Sequence, residues 1–131
     1  MAWALVIFFA STSWGAGEHT GAFLMPLLRW LFPSADYATL EAMHLVLRKI
    51  GHFAEYLVLG LLLVRALRAD APWSARHALL ATALAALYAA SDEIHQRFVA
   101  GRVAAVGDVL IDTAGAATGQ VLVAVRRLLA R

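Results

Sequence analysis

Long apolar stretches alternate with short polar ones along the 131-residue chain. A helix that crosses a bilayer needs about 20 mainly apolar residues, and stretches close to that length occur four times. They cover residues 2–17, 50–67, 73–98 and 103–125. The pattern predicts an all-α fold, an integral membrane bundle of about four transmembrane helices in which residues 1–131 form a single domain.

The linker between the first two predicted spans has a different pattern. Residues 21–32 are apolar but carry Pro26 and Arg29. At a dozen residues this segment is too short to cross a membrane, so we predict an interfacial or re-entrant segment.

The second part of the linker, which ends at residue 48, has the marks of an amphipathic helix. Asp36 is placed to cap a helix that begins at Tyr37. Apolar and amphipathic side chains then recur at helical spacing, which gives the helix one greasy face. We predict that this helix lies on the membrane and that the chain turns into the membrane near Arg48 and Lys49.

Composition supports lipid contact rather than a water-soluble fold. Hydrophobic residues make up 62% of the chain and charged residues 15%, against about 45–50% and 25% in typical soluble domains. The net charge of +2 comes from arginines that flank apolar segments, a distribution that the positive-inside rule explains. No nucleic-acid-binding motif is visible, and a chain without cysteine forms no disulfide. We therefore expect membrane lipids, and no nucleic acid, as partners.

The arginines also predict an orientation. They concentrate in the loop between the second and third predicted spans and in the C-terminal tail, and positive charge favours the cytoplasmic side. With four spans, the N- and C-termini are then cytoplasmic. The linker and the turn near Gly101 face outward.

Ionisable residues interrupt three of the predicted spans, although each costs roughly 2.5–3.5 kcal/mol on insertion scales. In each span they gather at the predicted outer end. At 100° per residue they share one helix face in the second span, in the third span apart from Glu93, which points aside, and in the fourth span at Asp108 and Asp112. We predict that the three faces meet at one depth. The residues are Lys49, His52, Glu55 and Tyr56; Tyr88, Asp92, Glu93, His95 and Gln96; and Arg102, Asp108 and Asp112.

Two kinds of contact are expected around this polar cluster. The acids are expected to pair with Lys49, Arg97 and Arg102 rather than to face lipid. Gly115 and Gly119 continue the acidic face of the fourth span, and small residues at this spacing let another helix approach closely.

Two blocks of sequence resemble the VanZ-like family of membrane proteins. The first is RKIGHFAEYLVLGLLL, residues 48–63, and the second is SDEIHQRFVAGRVAAVGDVLIDTAGAATG, residues 91–119. This sequence has Ala100 where the family often has proline before the glycine of the turn. The resemblance implies a protein of the bacterial cytoplasmic membrane, in a family whose founding member is associated with teicoplanin resistance and most of whose members have no assigned activity. The family's motif positions are Lys49, His52, Tyr56, Asp92, Glu93, His95, Gln96, Arg102 and Asp108, and the resemblance implies no role for any of them.

The first functional hypothesis is the binding or handling of an envelope lipid or a lipid-linked cell-wall precursor at the outer leaflet. Lys49, Arg97 and Arg102 are candidates to hold a phosphate or carboxylate, since guanidinium makes paired hydrogen bonds to such oxygens. The candidate binding residues are Lys49, His52, Tyr56, Gln96, Arg102 and Asp112.

The second hypothesis is a membrane hydrolase or transferase that acts on such a lipid by acid–base chemistry. The candidate catalytic residues are His52, Asp92, Glu93, His95 and Asp108. A metal-dependent version would use His52 with Glu55, or Asp92 with His95, because each pair lies one helical turn apart. Neither pair is specific, and no metal or other cofactor is expected.

Two further alternatives remain open. One is a small ion-coupled transporter that needs Asp112, the deepest acid, and that forms a symmetric homodimer to supply a second half. The other is a cluster that only locks the helices together, since removal of one partner of a buried ion pair is costly.

Overall fold

The computed structural model describes residues 2–12, 17–99 and 105–130 of the chain. Within these residues it contains helices and no strand, which confirms the all-α prediction. The helices are α1 (Ala2–Ser11), α2 (Gly17–Leu31), α3 (Tyr37–Arg68), α4 (Ala75–Gln96) and α5 (Val106–Leu129).

Helix α3 joins two elements that the sequence predicts to be separate. It runs for 32 residues, so the predicted surface helix continues into the predicted second span. The predicted turn near Arg48 and Lys49 is wrong, because no proline interrupts the helix and both residues favour helical conformation. Its start is as predicted: the Asp36 carboxylate accepts a hydrogen bond from Thr39 N at 2.8 Å. The hydrogen bonds from Thr39 also hold the pKa of Asp36 below its usual value.

The apolar linker segment folds as α2, with Pro26 inside the helix. Helix α2 packs on the N-terminal half of α3, where the Thr20 hydroxyl lies 3.4 Å from His44 Nε2. A Cβ at Gly21 would also meet the His44 ring. Helix α2 therefore covers one face of α3, and its interfacial or re-entrant position stays a prediction.

Helix α1 is shorter than the predicted first span, residues 2–17. Its ten residues extend about 15 Å, half of a hydrocarbon core about 30 Å thick, and Gly17 already belongs to α2. Two hydrogen bonds between a side chain and a backbone carbonyl join α1 to the bundle. The Tyr88 hydroxyl donates to Ala4 O at 2.6 Å, and Trp3 Nε1 donates to Glu55 O at 2.9 Å. These bonds hold α1 across α3 and α4.

Helices α3 and α5 run parallel, because Lys49 contacts Asp108 near one end and Gly60 contacts Gln120 further along both helices. Gly115 and Gly119 lie against the backbone of α3, with almost no room for a Cβ. The predicted close approach at these glycines is confirmed, and α3 is the helix that approaches.

The core lies where α1, α3, α4 and α5 meet. Helix α4 is capped by Ser74, whose hydroxyl accepts a hydrogen bond from His77 N at 3.3 Å. The helix presents a row of alanines to its neighbours. Small side chains at this spacing let the helices pack closely. The core cluster consists of Ile7, Tyr56, Leu59, Ala85, Ala89 and Ala116.

Large apolar side chains cover the outer surface of the bundle, as lipid contact requires. Leu79, Leu87 and Leu110 are each about two-thirds exposed or more, at 71%, 68% and 66%. In the described part of the chain, α3 and α5 are long and apolar enough to cross a membrane. Helices α1, α2 and α4 do not meet the same criterion, so the arrangement with four spans is not confirmed.

Candidate functional site

A cavity of about 250 Å³ lies between α1, α2, α3 and α4. Charged and apolar side chains line it together. Its polar lining is Thr20, Arg48, His52, Glu55 and Asp92, and the rest of its lining is Ile7, Ala10, Leu24, Leu47 and Gly51. Residues from two of the predicted polar faces therefore share one space.

Three of the charged or titratable side chains come from one face of α3. Arg48, His52 and Glu55 follow one another at spacings of four and three residues, which stack on one side of a helix. Asp92 reaches the cavity from the last turns of α4. Its Oδ2 accepts a hydrogen bond from Gln96 Nε2 at 2.9 Å, so the α4 carboxylate is held in a fixed position.

His52 lies between this cavity and a buried carboxylate of α5. His52 Nδ1 and Asp112 Oδ1 are 3.4 Å apart, within ion-pair range, but the contact lacks the geometry of a hydrogen bond, and neither atom has another hydrogen-bond partner. The Tyr56 hydroxyl is also buried without a hydrogen-bond partner. Buried polar groups are normally satisfied, so these three atoms mark the region as one with unused bonding capacity.

A second contact between α3 and α5 lies one turn nearer the start of both helices. Lys49 Nζ and Asp108 Oδ1 form an ion pair at 2.9 Å, with the Lys49 side chain 52% exposed. The predicted pairing of Lys49 with an acid is confirmed. Lys49 and Asp108 do not line the cavity. Their ion pair lies one turn nearer the start of α5 than the His52–Asp112 contact.

Glu93, which the sequence predicts to point aside from the shared face of α4, is buried against the start of α5. Its side chain is only 7% exposed and accepts a hydrogen bond from Ala105 N. The reason is the start of α5: Ala105 offers no side-chain acceptor, and the first amides of a helix need one. A carboxylate there also opposes the positive end of the helix dipole, so Glu93 ties α4 to α5.

His95 also departs from the predicted cluster. Its ring stacks on Phe8 of α1, with ring centroids 5.2 Å apart. Tyr88 likewise contacts α1, whereas Asp92 and Gln96 are buried inside the bundle. The predicted face of α4 is therefore divided between two neighbours, because α1 packs along one edge of it.

The predicted cations are only partly accounted for. Arg97 is exposed, and within the described ranges it forms no ion pair. Arg102 lies outside the described residues. Arg48 lines the cavity but is not among the predicted site residues. Its position one helical turn before His52 could have indicated that both side chains lie on the same face.

Arg48 also borders a second cavity of about 420 Å³ between α2 and the N-terminal half of α3. The other lining residues are Gly21, Met25, Tyr37, Glu41, His44 and Leu45. The Arg48 guanidinium therefore lies between two cavities, and α2 lines both of them.

Metal binding has no complete ligand set among the residues that the structure describes, where no group of three or more His, Asp or Glu side chains is arranged around one point. His52 and Glu55 do line the same cavity. Of the other pair considered for a metal, Asp92 lines the cavity, whereas the His95 ring stacks on Phe8 of α1.

The family model VanZ/LLP1 matches residues 1–127. The chain belongs to the VanZ/LLP1 family. This membership and the two long apolar helices indicate a membrane protein. No curated protein and no solved structure matches the sequence.

Proposed function

We propose that this VanZ/LLP1 protein binds the headgroup of an envelope lipid or a lipid-linked cell-wall precursor in the cavity lined by α1, α2, α3 and α4. The site would lie at the outer leaflet of the bacterial cytoplasmic membrane, with both termini in the cytoplasm. The observation that supports the proposal is the cavity itself, which combines a guanidinium with apolar walls. A link to glycopeptide resistance rests on the family resemblance alone.

The size of the cavity favours a headgroup rather than a whole lipid. Pockets for complete drug-sized ligands occupy roughly 300–1,000 Å³, whereas this cavity is about 250 Å³. Ile7, Leu24 and Leu47 supply apolar walls. These walls suit the first carbons of a lipid tail, and the rest of the tail would remain in the bilayer.

Arg48 is the proposed anion-binding group. Its planar guanidinium can make paired hydrogen bonds to phosphate or carboxylate oxygens. Lys49, which the sequence favours for this role, already pairs with Asp108. His52 adds a second nitrogen donor to the same cavity.

The test is binding of undecaprenyl phosphate to the purified protein in detergent, measured by native mass spectrometry. Arg48→Gln should lower affinity about tenfold, the equivalent of about 1.4 kcal/mol. The matched control is Arg65→Gln on the exposed surface of α3, which should bind as the wild type does. Arg102→Ala tests the other arginine that the sequence suggests as a binding residue for the phosphate. No binding of this or any other envelope lipid, or equal binding by wild type and Arg48→Gln, would contradict the proposal.

A membrane hydrolase or transferase is the second candidate, and the His52 environment favours it. An imidazole that has a carboxylate on one side and a ligand cavity on the other is suited to move a proton to or from a bound group. Asp112 is that carboxylate, 3.4 Å from His52 Nδ1.

The enzyme candidate predicts turnover of a lipid-linked phosphate by the purified protein, followed by mass spectrometry of the products. His52→Gln should abolish turnover and retain binding. Absence of turnover in the wild type, with binding intact, would leave the protein as a binding module for the lipids tested.

A further inference from the structure

We infer that the headgroup bound in the cavity carries an amine as well as a phosphate, so that the ligand is a zwitterionic membrane lipid. This inference rests on the proposed function, namely lipid-headgroup binding in the cavity lined by α1, α2, α3 and α4. It adds the charge of the ligand, which the proposed function leaves open.

The charges that line the cavity are mixed. Arg48 contributes one guanidinium, and Glu55 and Asp92 contribute two carboxyl groups. His52 is neutral or singly charged. With both carboxyls ionised, the net charge of these four side chains is −1 or 0. Two carboxylates beside a purely anionic headgroup would repel it, so a headgroup that also carries an amine should bind more tightly than a purely anionic one.

The two signs of charge are also separated along α3. Arg48 and Glu55 are seven residues apart on the same helix face, about 10.5 Å along the helix axis. The α3 wall of the cavity therefore has Arg48 toward one end and Glu55 toward the other, and Asp92 adds a carboxylate from the α4 side.

An ammonium group matches the carboxylates of the cavity in hydrogen bonding as well as in charge. A primary ammonium has three N–H donors and no acceptor, and an ionised carboxylate only accepts. Asp92 uses Oδ2 to accept from Gln96, and a carboxylate offers about four lone-pair sites. Asp92 can therefore keep its contact with Gln96 and accept from an ammonium too. Arg48 would take the phosphate oxygens at the other end.

The apolar lining selects a lipid over a soluble phosphoamine. Ile7, Leu24 and Leu47 border the same cavity as the charged groups. A free headgroup would leave these side chains against water, whereas the carbons next to a lipid headgroup would cover them.

The experiment compares lipids that differ only in headgroup. The full-length purified protein is offered phosphatidylethanolamine, phosphatidylglycerol and phosphatidic acid with matched acyl chains, and retained lipid is measured by native mass spectrometry. We expect retention of phosphatidylethanolamine to exceed that of phosphatidylglycerol by at least about fivefold. Glu55→Gln and Asp92→Asn should each bring this ratio close to one, and two independent variants guard against misfolding of either.

The matched control is Glu41→Gln, which removes a carboxylate of α3 that lines the second cavity and not the first. It should leave the ratio unchanged. Arg48→Gln should lower retention of all three lipids. Equal retention of the three lipids by the wild type, or a preference for the anionic ones, would overturn the inference and leave the proposed function standing. Retention of none of the lipids, together with no binding of undecaprenyl phosphate, would defeat the proposed function itself.

Discussion

The two halves of the contact between α3 and α5 are built in different ways. In the half nearer the helix starts, the contacts are Lys49 with Asp108 and His52 with Asp112. In the other half, glycines bring the two backbones together. The glycine half supplies close packing along the helices, whereas the polar half leaves buried atoms of His52 and Asp112 without hydrogen bonds. Helix association therefore accounts for the glycines, and it does not account for the polar groups.

The largest expected effect comes from blocking the glycine half. Gly115→Val places a branched side chain where the α3 backbone leaves no space for even a Cβ. Overpacking of a close contact costs about 1–3 kcal/mol, and more where backbones must separate, so we expect this variant to lose most of its folded population. The measurement is folded yield and thermal unfolding in detergent.

Gly107→Ala is the matched control, because a Cβ at Gly107 meets nothing within 4 Å. It should fold as the wild type does. Normal stability of Gly115→Val would show that the glycine half does not hold the two helices together.

The polar half predicts an asymmetry between its partly buried His52 and its buried Asp112. His52→Ala leaves the Asp112 carboxylate, only 3% exposed, without its neighbour, and loss of one partner of a buried pair costs about 3 kcal/mol. Asp112→Asn leaves a neutral imidazole beside an amide and should cost less than about 1 kcal/mol. Chemical unfolding of both variants in detergent measures the difference.

Turnover separates structure from function at the same pair. Asp112→Asn should stay abundant and lose turnover of the lipid-linked phosphate, because Asp112 is the carboxylate beside the proposed proton carrier His52. That result would sharpen the contrast between the two halves. If Asp112→Asn is as unstable as His52→Ala, the pair serves mainly to hold the helices, and the contrast disappears.

Gln120 tests whether the glycine half needs its one buried amide contact to α3. Gln120 Nε2 donates to Gly60 O at 2.9 Å, and hydrogen bonds between membrane helices average about 0.6 kcal/mol. Gln120→Met keeps much of the volume and should lower stability by about that amount in the same unfolding assay. A loss several times larger would mean that hydrogen bonding, and not close packing, dominates this half.

The smallest effect is expected at the Lys49–Asp108 ion pair. Lys49 is more than half exposed, and exposed ion pairs contribute about 0.2–1 kcal/mol. A double-mutant cycle with Lys49→Ala and Asp108→Ala should give a coupling energy in this range, and added salt should reduce it. A coupling energy near zero at low salt would show that this ion pair contributes nothing to the contact between α3 and α5.

Periodicity and small-residue spacing predict the parts of the fold that depend on local sequence. The cap at Asp36, the all-α class and the close approach at Gly115 and Gly119 all follow from neighbouring residues. The continuity of α3 does not follow, because charges at Arg48 and Lys49 look the same whether a helix ends there or continues.

The site shows the same division. Helical spacing places His52 and Glu55 on one face, and both line the cavity. It cannot assign His95 to α1 or Glu93 to the start of α5, since those contacts depend on which helix packs along each edge of α4. The roles of the site residues in binding or catalysis stay predictions.

The unbroken length of α3 has a consequence for where the site can lie. Its 32 residues extend about 48 Å, and the hydrocarbon core is about 30 Å thick. To fit inside that core, the helix would have to tilt by about 51° from the bilayer normal, beyond the roughly 0–40° range of membrane helices. At least one end of α3 must therefore stand in the headgroup layer or the adjoining water. If that end is the one covered by α2, Arg48 meets lipid phosphates without leaving its place in the helix.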